Sequence, residues 1–305
     1  MPRLVLTVSV LVVTAVSAVA EDATPRLVTT GNSAPVATAA PSETPPTHSW
    51  DMPALTIDGK VPELREAQRI GDYGQPRWTA RRLFAETRVY VIPEGQFEFE
   101  YWLVVQGPQR KDKDGEVTVK QLYEAEMGLP YRFQIDLYQQ YVKKGGDGVN
   151  QLDATKFEVR WAFADWDVIP TNPTAYLEWS QSADGYDSVE GKMLFADEIG
   201  ERVHWGANLV WEEETGGARE RSLEVTGGQS YAVIDSKFAA GIEEKLAFVN
   251  EIKNDERTSY EVALLIGPSI QIRPQPQMHI NVAWLVGVTQ ESPTSKMTAV
   301  LGWEF

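Results

Sequence analysis

The chain has 305 residues, with 44 acidic and 28 basic side chains, a net charge of −16 and no cysteine. So acidic a chain is a poor ligand for nucleic acid, and the lack of cysteine excludes disulfides, thiol catalysis and thiolate metal sites. After residue 20 no apolar run reaches the roughly 18 residues of a spanning helix, so any membrane insertion must use β-strands.

The first twenty residues show the three zones of a secretory signal peptide. Arg3 precedes an apolar stretch, residues 4–16, and small residues end at Ala20. The stretch is shorter than the roughly 20 residues of a membrane anchor, so we predict a cleaved signal peptide over residues 1–20. Residues 21–49 are rich in Ala, Thr and Pro without an apolar period, which predicts a disordered linker.

Residues 50–95, here called the lead-in, combine large apolar side chains with a basic cluster. We predict a short periplasmic segment with one or two helical turns around residues 79–86. Opposite charge would draw it to an acidic barrel mouth as a cap or plug, with these residues in contact: Trp78, Arg81, Arg82, Phe84 and Arg88. The alternatives are a solvated positive stretch or a binding site for another envelope component.

From residue 96 to residue 305, apolar and polar residues alternate in segments of about ten, separated by turn-forming residues. The first segment places Phe97 and Phe99 on one face and Glu98 and Glu100 on the other. This pattern predicts an all-β fold, an antiparallel transmembrane up-and-down β-barrel of about 12 strands, with both termini in the periplasm.

The aromatic residues indicate which face of the barrel meets lipid. Most of those in strands share one face, whereas Trp102, Tyr138 and Tyr176 share the other face with the charges. Only Asp197 and Glu244 clearly place a charge on the aromatic face. The alternative is a soluble sandwich with the aromatic face as its core, but export and aromatics near strand ends favour lipid.

The polar face is predicted to line the lumen. Its main acidic members are Glu98, Glu100, Glu124, Glu126, Asp136, Glu158, Glu178, Glu224, Glu243 and Glu261. Its basic members are Lys120, Lys156, Arg160, Lys192 and Lys245. Because carboxylates predominate and carboxylate rings select cations, we expect a cation-favouring lumen. An equally weighted alternative is a structural ion-pair network that fills a narrow barrel.

No catalytic or metal-binding constellation is evident in the sequence. His48 falls in the linker, while His204 and His279 have the inward register without a serine partner and are interpreted as members of a polar network. Residues 112–116 partly match a calcium loop, but Arg110 and Gln121 occupy positions that need acidic ligands. The sequence therefore predicts no enzyme, no cofactor and no metal site.

The chain ends in Leu301-Gly302-Trp303-Glu304-Phe305. This ending resembles the aromatic C-terminal signal of Gram-negative outer-membrane barrels, which implies that Trp303 and Phe305 are read by the barrel assembly machinery. The sequence also resembles the porin-like barrels grouped with the phenol meta-pathway transporters. The resemblance implies contact with outer-membrane lipid and places the lead-in in the periplasm.

These observations favour a passive or weakly selective pore for small solutes. The first alternative is a non-conducting envelope barrel whose loops or lead-in bind a partner. The second is a barrel enzyme, for which the three scattered histidines supply no evident triad.

Overall fold

The structure is a computed structural model that describes residues 65–112, 114–146 and 148–305. The predicted signal peptide, the predicted linker and residues 50–64 of the lead-in lie outside the described residues. In the part that is described, no helix is long and apolar enough to cross a membrane.

Twelve antiparallel strands form a closed barrel. They are β1 (Phe97–Gln106), β2 (Thr118–Leu129), β3 (Phe133–Lys144), β4 (Gln151–Ala162), β5 (Thr174–Ser182), β6 (Ser188–Ile199), β7 (Val203–Glu214), β8 (Arg221–Ile234), β9 (Phe238–Asn250), β10 (Glu261–Gln275), β11 (Met278–Gly287) and β12 (Ser295–Glu304). Each strand pairs with its neighbours in sequence, and β12 pairs with β1 to close the sheet. The predicted twelve-stranded up-and-down barrel is confirmed.

The remaining described elements are short. Arg69–Ile70 pairs with Gln75–Pro76, and Ile252–Lys253 pairs with Glu256–Arg257. Two 3-10 turns span Arg77–Ala80 and Pro130–Arg132. The helical turns expected around residues 79–86 are thus replaced by a single turn that ends at Ala80, because the chain beyond it is extended and bonds to the barrel instead of to itself.

The two faces of the barrel have the predicted register. On β7, Leu209 is 54% exposed on the outside, whereas its neighbour Asn208 is 2% exposed on the inside. On β1, Phe99 points outward and the flanking carboxylates of Glu98 and Glu100 are buried. Period-two alternation has therefore sorted apolar side chains to the outer surface and polar ones to the lumen, the reverse of a soluble sandwich.

Glu244 is an outward-facing charge in the middle of β9. It lies opposite Gly227 of β8 and Ile266 of β10, and the pairing is continuous through this position. A β-bulge would have turned the side chain inward, but the register shift on β8 lies between Ala232 and Ile234. Glu244 therefore stays exposed on the apolar face.

The lead-in lies inside the barrel and supplies the core of the molecule. Trp78, Phe84 and Val91 are completely buried. Gly206 and Gly228 face Phe84 from the barrel wall, and a Cβ atom added at Gly228 would lie 2.5 Å from its ring. Since interiors are close-packed, these inward glycines create the space that the lead-in fills.

The outward register can be tested by placing a charge at Leu209. Leu209→Arg should lower the free energy of unfolding in lipid vesicles by about 2–4 kcal/mol, because a midplane cation must leave water. Leu209→Met serves as the apolar control and should change the stability little. Equal denaturant midpoints for the two variants would contradict a lipid-facing position.

Candidate functional site

Side chains of the barrel satisfy the backbone of the lead-in. The Glu243 carboxylate accepts hydrogen bonds from the backbone N–H groups of Ala85 (3.1 Å) and Glu86 (2.7 Å). The Asn208 amide binds both backbone groups of Arg88, accepting from its N–H at 2.9 Å and donating to its C=O at 2.7 Å. An irregular segment inside a barrel needs such partners, because unpaired buried backbone groups are costly.

Six buried carboxylates, here called the carboxylate belt, project inward from four adjacent strands. They are Glu98, Glu100, Glu124, Glu126, Asp136 and Glu158, and each is at most 3% exposed. Strand pairing sets like charges opposite one another, as with Glu98 and Glu126, and with Asp136 and Glu158. Such pairs are destabilising unless cations compensate them.

Arg82 of the lead-in supplies much of that compensation. Its guanidinium binds the Glu100 carboxylate at 2.7 Å and also lies 3.2 Å from Glu126 and 3.4 Å from Glu124. The Arg82 side chain is 3% exposed. The structure thus brings the basic lead-in and the acidic lining together as buried, hydrogen-bonded ion pairs rather than as a surface attraction.

Two further arginines complete the network. Arg88 of the lead-in binds Glu124 at 2.5 Å and donates to the Tyr138 hydroxyl at 2.6 Å. Arg160 of β4 binds Asp136 at 2.6 Å and also pairs with Glu158. The carboxylate belt is therefore occupied by guanidinium groups and does not face open water.

The inward-facing aromatics have a role in this network. Trp102 lies under the Arg82 guanidinium, 4.0 Å from the ring centroid, and its indole N–H donates to Glu100 at 3.0 Å. Tyr176 donates to Glu178 at 2.7 Å, and the Lys192 ammonium lies 4.1 Å from its ring centroid. These aromatics face inward, against the outward rule, and lie beside inward-facing cations.

Overlapping sets of belt carboxylates, one of them including His279, have ligand atoms within 4.8 Å of one another. Arginine, histidine or tyrosine hydrogen bonds already engage these oxygens, for example His279 to Glu98 at 2.5 Å. The arrangement is that of an ion-pair network, and the expected absence of a metal site stays a prediction.

The two inward histidines have different surroundings. His279 binds Glu98 and also lies 3.3 Å from Asn281, as expected for a polar network. His204 does not: its ring stacks near Trp78 at 4.8 Å between centroids, and neither ring nitrogen has a hydrogen-bond partner among the described residues. The network interpretation is wrong for His204, because the apolar lead-in covers it.

At the turn end of the barrel, opposite the long loops, aromatic packing anchors the lead-in. The Trp78 indole N–H donates to Glu198 at 2.9 Å, and its ring meets Trp166 edge-on at 5.8 Å between centroids. Arg81 pairs with Glu304 of β12. Sequence reasoning missed Trp166, which lies in the long turn between β4 and β5; a tryptophan between two aspartates, Asp165 and Asp167, was the available signal.

On the loop side of the lead-in, the lumen holds isolated ion pairs. Lys156 binds Glu178 at 2.8 Å, and Lys245 binds Glu224 at 2.7 Å. Lys192 binds Glu190 of its own strand at 2.6 Å.

Glu86 of the lead-in is tied to β12 at this level. Its carboxylate accepts hydrogen bonds from the Lys296 ammonium at 2.6 Å and the Thr298 hydroxyl at 2.8 Å. Burial alone would raise the pKa of Glu86, but Lys296, Lys245 and these hydrogen bonds outweigh it and hold the pKa below its ordinary value.

The remaining candidate residues lie near the strand ends. Glu261 was expected in the lumen lining, but it begins β10 and pairs with Lys111 of a loop, where its side chain is 54% exposed. Lys120 has the inward register and is half-buried. Trp303 and Phe305 are exposed on the outer face, and Phe305 packs near Phe97.

No protein-family model and no curated protein matches the chain. Among solved structures, it is similar to an outer-membrane channel from Pseudomonas putida F1, with a TM-score of 0.51 and 9% identity over 71% of this chain and 98% of that chain. It is also similar to the NanC porin, with a TM-score of 0.47 and 12% identity over 68% and 98% of the two chains. For the NalP autotransporter translocator domain from Neisseria meningitidis, the TM-score is 0.41 and the identity 9%, over 69% of this chain and 88% of that chain. The predicted resemblance to outer-membrane barrels is confirmed at the level of the fold.

The importance of the buried pairs can be tested with Arg82→Gln. This change should lower the free energy of unfolding by about 3–5 kcal/mol, because it leaves carboxylates buried without their cation. It should also expose the lead-in to protease in the folded barrel.

Arg69→Gln is the matched control within the lead-in. Arg69 pairs with Asp167 at 2.8 Å and with Glu198 at 3.1 Å, but its own side chain is 43% exposed. Arg69→Gln should lower the free energy of unfolding by no more than about 1 kcal/mol. If Arg82→Gln and Arg69→Gln lowered the free energy of unfolding by similar amounts, the result would contradict a special contribution of the buried ion pairs to stability.

Proposed function

We propose that the protein is an outer-membrane pore for small solutes, closed in its resting state by the lead-in. The observation that carries this proposal is the pair of arginines, Arg82 and Arg88, inserted from the lead-in into the carboxylate belt. The barrel fold, shared with an outer-membrane channel, supports the location and a transport role.

Water can replace the polar interactions that hold a plug of this kind. The lead-in is joined to the barrel wall by ion pairs, hydrogen bonds and packing of Trp78 and Phe84, and each charged group regains hydration when the segment leaves. The net cost of release is therefore far smaller than the sum of the contacts. The barrel keeps its own continuous ladder of twelve strands, so it can persist without the segment.

The state of the lead-in also decides the selectivity. With Arg82 and Arg88 in place, the belt carboxylates are neutralised in part and shielded from solvent. Once the segment leaves, Arg160 and His279 are the basic groups that remain beside them among the described residues, and the lumen becomes acidic. The expected cation preference thus belongs to the open state.

The plug can be tested by locking it to the wall. The hydroxyl oxygens of Thr87 in the lead-in and Thr226 in β8 lie 3.1 Å apart, and the chain has no other cysteine to interfere. We expect Thr87→Cys/Thr226→Cys to form a disulfide when oxidised, and to abolish channel openings in planar bilayers until it is reduced.

The single-cysteine variants control for the substitutions, and mass spectrometry verifies the bond. Equal conductance of the oxidised and reduced double variant would contradict the plug. If no form conducts, including a variant lacking residues 50–88, the result would instead support the non-conducting envelope barrel.

Selectivity provides a second test. In a salt gradient, the variant lacking residues 50–88 should show a reversal potential of cation sign that decreases as salt rises, because salt screens the carboxylates. Adding Glu98→Gln and Glu100→Gln should reduce the preference. Anion preference in the shortened variant would contradict an acidic open lumen.

A further inference from the structure

A cavity of about 230 Å³ lies in the lumen on the loop side of the lead-in. Arg88, Trp102 and Tyr138 line it toward the carboxylate belt, and side chains from the loop-side half of the barrel line it elsewhere. Since a water molecule in the liquid occupies about 30 Å³, the space has room for several waters or for one small organic ion.

Four lysines contribute to the cavity wall, from strands spaced around the barrel. They are Lys156 of β4, Lys192 of β6, Lys245 of β9 and Lys296 of β12. Because these strands are separated by one to three others in the closed sheet, the lysines approach the cavity from different sides rather than from one patch.

In every one of these ion pairs the cation is the more exposed partner. The exposed fractions of the side chains are 20% against 7% for Lys156 and Glu178, and 17% against 14% for Lys192 and Glu190. They are 24% against 12% for Lys245 and Glu224, and 19% against 6% for Lys296 and Glu86. The cavity wall also includes Glu86, Glu190 and Glu224, but the four lysines together with Arg82 and Arg88 outnumber these three carboxylates.

The pairing also leaves hydrogen-bond donors available. An ammonium group has three N–H donors, and Lys156 donates to one oxygen of Glu178 while Lys296 donates to one oxygen of Glu86. An incoming anion could therefore be bound without breaking the existing ion pairs. Its charge would be placed beside cations that are already held in position, which lowers the entropic cost of binding.

We propose that this cavity is a binding site for a small oxyanion, of the carboxylate or phosphate class, in the closed state of the barrel. The site deepens the proposed function, because it lies in the same lumen and needs Arg88 and the lead-in as its base. The lumen then has two regions of different character, with carboxylates masked by arginines on one side and a cavity whose wall carries more cations than carboxylates on the other.

The test is equilibrium dialysis of the refolded full chain against radiolabelled inorganic phosphate at low ionic strength. We expect saturable binding of one phosphate per chain that weakens as salt is added. Lys192→Gln/Lys245→Gln should weaken it at least tenfold, whereas Lys192→Arg/Lys245→Arg should retain it. Lys144→Gln removes the same type of charge from an exposed strand end and should leave binding unchanged.

Several outcomes would overturn the site. One is that the parent chain shows no saturable phosphate binding. Another is that the glutamine double variant binds phosphate as tightly as the parent chain. A third is that the arginine double variant loses phosphate binding although both double variants keep the heat-modifiable mobility of a folded barrel. Binding of the polycation spermidine in place of phosphate would show that the carboxylates determine the charge preference of the cavity. Dialysis does not depend on conductance, so the two proposals can fail separately. Phosphate binding by a barrel that does not conduct would reject the pore and keep the binding site. Conductance without phosphate binding would keep the pore and reject the binding site.

Discussion

Six carboxylates on the inner faces of four adjacent strands create an electrostatic constraint on the whole molecule. β-Pairing sets Glu98 against Glu126 and Asp136 against Glu158, and the interior leaves these groups almost no water. Charges buried in this way must be paired or they destabilise the fold. Among the described residues, Arg160 and His279 of the barrel wall and Arg82 and Arg88 of the lead-in contact these carboxylates. The acidic strands and the basic segment are therefore complementary parts of one buried network.

Other features of the lumen follow from the position of those arginines. The chain that carries them is extended, so barrel residues such as Glu243 and Asn208 must bind its backbone. Phe84 lies between the two arginines in sequence, and Gly228 leaves room for its ring. On the loop side of residues 82–88, the lumen opens into the lysine-lined cavity. The packing of the lead-in and the position of the cavity thus both follow from the burial of guanidinium groups against carboxylates.

The sequence predicted the barrel, its strand number and its two faces, because alternation with period two is a local signal that survives in every strand. It also singled out the basic lead-in and the inward carboxylates as complementary. It could not predict which carboxylates would be masked, since Arg82 and Glu126 meet only through the strand register and the path of the lead-in. Trp166 and the apolar surroundings of His204 were missed for the same reason: both depend on a segment that packs far from its neighbours in sequence. Glu261 was misplaced because alternation gives the direction of a side chain but not its depth along the barrel.

The central claim is that the lead-in occupies the lumen as part of the folded barrel. Hydrogen–deuterium exchange of the full chain in lipid bilayers tests it most directly, through the amides of Ala85, Glu86 and Arg88, which donate to barrel side chains. The account predicts that these amides are protected to a degree similar to the amides of the barrel strands, because they exchange only when the segment leaves the lumen. Exchange at the rate of a free chain, beside a protected barrel, would contradict it.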